Sequence, residues 1–138
     1  MLKITIEDAK FLKDGDTFGK QDPYVQFKFG ERTLETDVID NGGLYAKFDA
    51  IFLVPGVVTL KDQSIVFKTF DKDLASSDFL GETDPLDIID ILNDDSVHNF
   101  ELELFEENGQ PNGSVKLSTQ LIFKKPDPPA NPDLNCNC

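Results

Sequence analysis

A chain of 138 residues with 39% hydrophobic content is long enough to close one core and too short for two. Its 26 acidic against 13 basic residues give a formal charge of −13, which opposes contact with nucleic acid or anionic lipid through the bare surface. No basic run exceeds Lys124-Lys125, so nucleic acid drops out as a leading partner, and no apolar stretch reaches the roughly 18 residues of a transmembrane helix.

Leu2 to Ile6 alternates apolar and polar residues, the period-two signature of a strand with one buried face, and has none of the long apolar run of a signal peptide. The loop at 11–22 carries the turn residues Lys13-Asp14-Gly15-Asp16, and Tyr24 to Phe29 alternates again. Phe29-Gly30 turns the chain into a β-branched run, Arg32 to Ile39. After Asn41-Gly42-Gly43 come strands at Phe48 to Val54 and, past Pro55-Gly56, at Ile65 to Phe70. A loop at 71–79 leads to a strand over Leu80 to Ile88. Within Leu86 to Leu92 a short connecting helix is also predicted, because Leu86, Ile89 and Leu92 fall three apart before the Asn93-Asp94-Asp95 stop. Phe100 to Phe105 and Val115 to Phe123 complete the set, separated by turns at Asn108-Gly109 and Asn112-Gly113.

About eight short strands at this spacing predict an all-β chain folded as an antiparallel sandwich. Residues 1–125 form the domain. From Pro126 the chain is rich in proline and poor in apolar surface, so 126–138 is expected to be a disordered, exposed tail. Both cysteines, Cys136 and Cys138, fall in that tail, which leaves the body without a disulfide and fits a cytoplasmic location.

If eight strands run up and down, the loops at 11–22, 40–46 and 71–79 emerge at one end. Two of them are rich in aspartate: Asp14, Asp16 and Asp22 in the first, Asp71, Asp73 and Asp78 in the third. Two carboxylates about 4 Å apart repel by about 4 kcal/mol at an effective dielectric near 20, and a bound divalent cation turns that repulsion into ligation. All-oxygen ligands on loops favour calcium over zinc, copper or magnesium. The plain alternative is that these are ordinary turn aspartates. An EF-hand is excluded: Asp71, Asp73 and Glu82 match its positions one, three and twelve, but Ser76 replaces the glycine and strands flank the loop.

The stretch Phe18-Gly19-Lys20-Gln21-Asp22-Pro23-Tyr24-Val25 resembles the GKSDPYV signature of C2 domains, with Asp16 where that family has its first aspartate ligand. Thr69 to Glu82, reading TFDKDLASSDFLGE, resembles the family's third calcium loop and the strand after it, and Tyr45 to Phe52 is similar to its PxWNExFxF strand with Phe48 in place of Trp. The resemblance covers residues 1 to about 124. It implies an eight-stranded Greek-key sandwich in which Gly113-Ser114-Val115-Lys116-Leu117-Ser118 is the strand that opens synaptotagmin-like members, hence the circularly permuted topology. It also implies Asp16, Asp22, Asp71, Asp73 and Asp78 as calcium ligands, Lys72 contributing its backbone carbonyl and Ser76 an optional ligand.

The expected function is therefore a calcium-binding module, reversibly peripheral to membranes, that docks to anionic phospholipid when calcium arrives. The loop-tip residues Thr17, Phe18, Leu74 and Ala75 would enter the interface, while Phe79 and Leu80 are expected in the core. The alternative is a calcium-binding protein-interaction or scaffold module without membrane contact. No catalytic motif accompanies the lone His98, and an enzyme is not expected. Cys136-Asn137-Cys138 resembles the doubly prenylated ends of Rab-type small GTPases, which makes both cysteines lipidation candidates; an unmodified tail is the favoured reading.

Overall fold

A computed structural model describes residues 1–13, 20–56, 60, 62–73, 77–92 and 94–122. Among these, ten strands appear in chain order: β1 (Leu2–Lys10), β2 (Pro23–Phe29), β3 (Arg32–Glu35), β4 (Tyr45–Val54), β5 (Ser64–Ile65), β6 (Phe67–Lys72), β7 (Ser77–Glu82), β8 (Leu86–Asp87), β9 (Val97–Phe105) and β10 (Pro111–Leu121). Eight form one curled sheet in the order β3-β2-β6-β7-β9-β10-β1-β4, and β5 pairs with β8 beside it. Every neighbouring pair is antiparallel, but β7 and β9 share a single ladder pair, Glu82 with Phe105. The sheet is thus two four-stranded halves joined at a seam and folded face to face, an antiparallel β-sandwich.

Alternation decides which side chains line the interior. Leu2, Ile4 and Ile6 of β1, Val25, Phe27 and Phe29 of β2, and Val115 and Leu117 of β10 are all buried in one core. Contact between the halves is direct: the Phe27 ring of β2 meets Phe52 of β4 edge-on at 5.1 Å, and Phe67 of β6 also lies 5.1 Å from it. At the far end the chain closes on itself, Ile122 N–H donating to the Met1 carbonyl at 2.8 Å and the N-terminal amine to the Ile122 carbonyl at 3.3 Å.

Five sequence expectations shift. The strand expected over Arg32 to Ile39 ends at Glu35, because Thr36 donates its N–H to the Val25 carbonyl but accepts the Val25 N–H on its hydroxyl, replacing its own carbonyl in the ladder. Thr83 repeats the device on Phe67, so the strand expected over Leu80 to Ile88 stops at Glu82, and Pro85, which has no N–H, keeps it from resuming before Leu86. The helix expected over Leu86 to Leu92 shrinks to one 3-10 turn, Ile88–Ile91. With three residues per turn, Ile88 and Ile91 share its buried side, whereas Ile89 is 50% exposed. Asn112-Gly113 is not a turn but lies within β10; the reversal is at Glu106 to Gln110. Phe79 stands on the outer face at 36% exposure, and Leu80 is buried as expected. The tail expected at 126–138, with Cys136 and Cys138, lies outside the described residues.

Candidate metal centre

Three connections meet at the end of the sandwich where β1 finishes and β2 begins. The side chain of Gln21, wholly buried, donates Nε2 to the Gly43 carbonyl at 2.8 Å while Gly43 N–H returns to the Gln21 carbonyl. Phe11 N–H donates to the Leu44 carbonyl at 2.8 Å, and Lys72 N–H to the Asp22 carbonyl at 2.9 Å. The turn at 41–44 can approach this closely because Asn41 and Gly43 adopt left-handed backbone (φ 57° and 64°) and Gly42 presses on the Pro23 ring, which an added Cβ would meet at 3.0 Å. The loop parity read from sequence is therefore realised by backbone hydrogen bonds.

At this end Asp71, Asp73 and Asp78 bring carboxylate oxygens within 4.8 Å of one another. Strand geometry puts them there: Asp71 and Asp73 are two apart along one strand end, and Asp78 is the ladder partner of Asp71 across the β6–β7 connection. Asp71 is 2% exposed, and its Oδ1 accepts the Asp22 N–H at 2.7 Å. Asp22 adjoins the trio through its backbone, while its own Oδ1 accepts the Asn41 N–H at 2.6 Å. Lys72 is exposed, and its backbone joins this end through the N–H that it donates to the Asp22 carbonyl. Beside them Tyr24 donates its hydroxyl to Ser77 Oγ at 3.0 Å, fixing the start of β7. The remaining predicted positions, Asp16, Thr17, Phe18, Leu74, Ala75 and Ser76, lie outside the described residues.

One residue that sequence reasoning missed organises this end. Asn112, 2% exposed, accepts the N–H groups of Leu12 and Lys13 on Oδ1 at 3.1 and 3.3 Å and donates Nδ2 to the Leu80 carbonyl at 2.9 Å. It ties the start of the first loop to β7, two residues past Asp78. An Asn-Gly pair reads as a turn from sequence; here it forms the bulge in β10 between Pro111 and Ser114. Asn112→Ala leaves the buried Leu80 carbonyl and two part-buried N–H groups without that partner and is expected to cost about 2 kcal/mol, read as a lower urea midpoint with unchanged slope.

Chemically the trio suits a hard cation. Three carboxylates at this separation repel by about 3–4 kcal/mol per pair at an effective dielectric near 20, and nothing but oxygen is offered as a donor. The donor set fits calcium, with Asp71, Asp73 and Asp78 as the residues that would hold it. Elsewhere His98 turns one ring nitrogen, Nε2, toward both Asp94 Oδ1 (3.1 Å) and Ser96 Oγ (3.4 Å), so it cannot relay a proton between them through two nitrogens. The Ser96 hydroxyl and amide, with His98 beyond them, hold the exposed Asp94 carboxyl below its ordinary range.

Comparison with known proteins agrees with this geometry. The family model of the C2 domain matches residues 1–104. The mouse protein "Multiple C2 and transmembrane domain-containing protein 2" is 30% identical over 128 residues, which is 92% of this chain and 14% of that protein. Rat "Extended synaptotagmin-1" is 36% identical over 87 residues, 59% of this chain and 8% of the relative. The chain thus spans a small part of the curated relatives it matches. Among solved structures, a C2 domain of plant Extended Synaptotagmin 1 superposes with a TM-score of 0.72 at 18% identity, covering 89% of this chain and 95% of that one. The calcium-bound pair of C2 domains from Extended-Synaptotagmin 2 gives 0.68 at 25% identity, over 86% of this chain and 44% of that one. A family model that matches three quarters of its length, relatives at this identity and an antiparallel β-sandwich lead to one conclusion: the chain belongs to the C2 domain family.

Proposed function

We propose that this domain binds calcium at the aspartate end and then docks that end on anionic phospholipid. The carrying observation is the trio Asp71, Asp73 and Asp78, whose carboxylates converge within 4.8 Å with Asp22 hydrogen-bonded onto Asp71. We assign Asp16, Asp22 and the Lys72 carbonyl to the same ligand set on the family pattern, and read β10, lying between β9 and β1, as the permuted strand.

Calcium supplies positive charge at an end that is otherwise acidic. Two ions change it by +4, worth on the order of 4 kcal/mol against an anionic leaflet at about 1 kcal/mol per charge. The protein's own part is to hold the carboxylates together: the β6–β7 ladder sets Asp71 against Asp78, and Asn112 fastens the neighbouring loop. Thr17, Phe18, Leu74 and Ala75 are proposed to enter the headgroup region, where each buried Phe or Leu side chain would add roughly 1.5–3 kcal/mol. In the cell this makes the domain reversibly peripheral to cytoplasmic membrane surfaces.

Sedimentation with phosphatidylcholine vesicles containing phosphatidylserine is the test. The protein is expected to pellet with calcium and to stay in the supernatant with EDTA, and Asp71→Asn to stay there in both. Equal pelleting with and without calcium sinks the proposal. Calcium binding without pelleting would instead favour the second reading, a calcium-stabilised protein-interaction module, which the high negative charge also suits.

A further inference from the structure

On the outer face of β2, β6 and β7 a row of aromatic rings interrupts the polar positions Gln26, Lys28, Lys68 and Lys72 that a solvated sheet face usually presents. Tyr24, Phe70 and Phe79 are successive ladder partners across the three strands. The Tyr24 and Phe70 rings stack at 5.4 Å, and Phe79 meets Phe70 edge-on at 5.9 Å. Next to this row the two halves of the sandwich part: beyond the single Glu82–Phe105 pair, β9 leaves β7, and Phe105 lines, with Phe70, Phe79 and Val66, a groove of about 730 Å³. That volume falls in the range of about 300–1,000 Å³ typical of ligand pockets.

The charges around it are unbalanced. Lys68 is the ladder partner of Glu82, and Glu106 is paired with Lys13 at 2.8 Å. Asp84 and Glu107, both exposed at the mouth, make no ion pair among the described residues. An aromatic floor thus lies beneath two uncompensated carboxylates, on a protein that is strongly acidic throughout.

From this we infer that the groove docks a cationic amphipathic peptide segment of a partner protein. An aliphatic or aromatic side chain seats against Phe70, Phe79 and Phe105, and flanking Lys or Arg residues answer Asp84 and Glu107. Interface energy concentrates where aromatic and Arg side chains fill well-packed, desolvated pockets. The same rim repels an anionic headgroup, so this surface is distinct in ligand from the aspartate end and needs no calcium.

Fluorescence anisotropy on the full chain in EDTA tests this, with a fluorescein-labelled Arg-Lys-Leu-Phe-Lys-Arg hexapeptide as probe and its Ser-Ser counterpart as control for simple charge attraction. The wild type is expected to hold the Leu-Phe peptide about tenfold tighter than the control. The surface double variant Asp84→Lys, Glu107→Lys should weaken it by about tenfold or more, and Phe79→Ser should erase the difference between the two peptides. Asp71→Asn should leave binding unchanged, which separates this inference from the calcium reading. Equal affinity for both peptides, or affinity that survives the charge reversal, overturns it.

Discussion

Asp71→Asn is expected to lower calcium affinity by about 100-fold or more while leaving the fold intact. A carboxylate about 2.4 Å from a doubly charged ion contributes about 3.5 kcal/mol even at the dielectric of bulk water, or some 2.5 decades of affinity, and the buried position of Asp71 makes the true figure no smaller. Asparagine keeps the acceptor oxygen for the Asp22 N–H, so the loop contact at 2.7 Å survives the exchange. The sign of the stability effect should depend on the ion. In EDTA, removing one charge from the Asp71, Asp73, Asp78 trio relieves repulsion, and the melting temperature should rise. With saturating calcium the wild type gains binding energy that the variant lacks, and the order reverses. Calorimetric titration and paired thermal melts check both halves. Wild-type affinity in the variant, or a melting order that calcium does not invert, would refute the site.

Among the described glycines, Gly113→Ala should be the most damaging substitution. Gly113 has φ +101°, and a Cβ added there would fall on the Lys10 carbonyl oxygen and 2.9 Å from Phe11 Cα. Both obstacles are backbone, and both belong to the place where β1 hands over to the first loop, so neither can swing aside. Strain at such a position together with a main-chain clash is expected to cost more than about 4 kcal/mol, a large share of the roughly 5–15 kcal/mol that holds a domain folded. Circular dichroism and yield of soluble protein report it. Gly109→Ala is the matched control: its φ of +85° is also left-handed, but an added Cβ there meets nothing within 4 Å, so its cost should be limited to about 1 kcal/mol.

Much of this architecture was readable from alternation. The runs at Leu2 to Ile6, Tyr24 to Phe29 and Phe100 to Phe105 all became strands, because period-two burial is a property of the chain itself. Strand ends were less legible. Thr36 and Thr83 both end a strand by lending a hydroxyl to a partner's N–H, and threonine's β-branching points the opposite way in sequence. Asn112 was hidden for a similar reason: its role depends on Leu12, Lys13 and Leu80, which come together only in three dimensions. Of the candidate site, aspartate spacing and strand parity sufficed to bring Asp71, Asp73 and Asp78 together. They could not foretell that the Asp22 carboxylate would turn to Asn41.

The hydrogen bonds between Met1 and Ile122 carry a mechanical consequence. They place the first residue and Ile122, the last described one, at one pole, while the aspartates occupy the other, separated by the length of the nine-residue β1, about 30 Å. Met1 and Ile122 therefore sit side by side at one corner of the sheet. A load that draws Met1 and Ile122 apart opens the β1–β10 ladder at Leu2 and Leu121 first, and has to part it as far as Lys10 and Ser114 before it reaches the aspartate end.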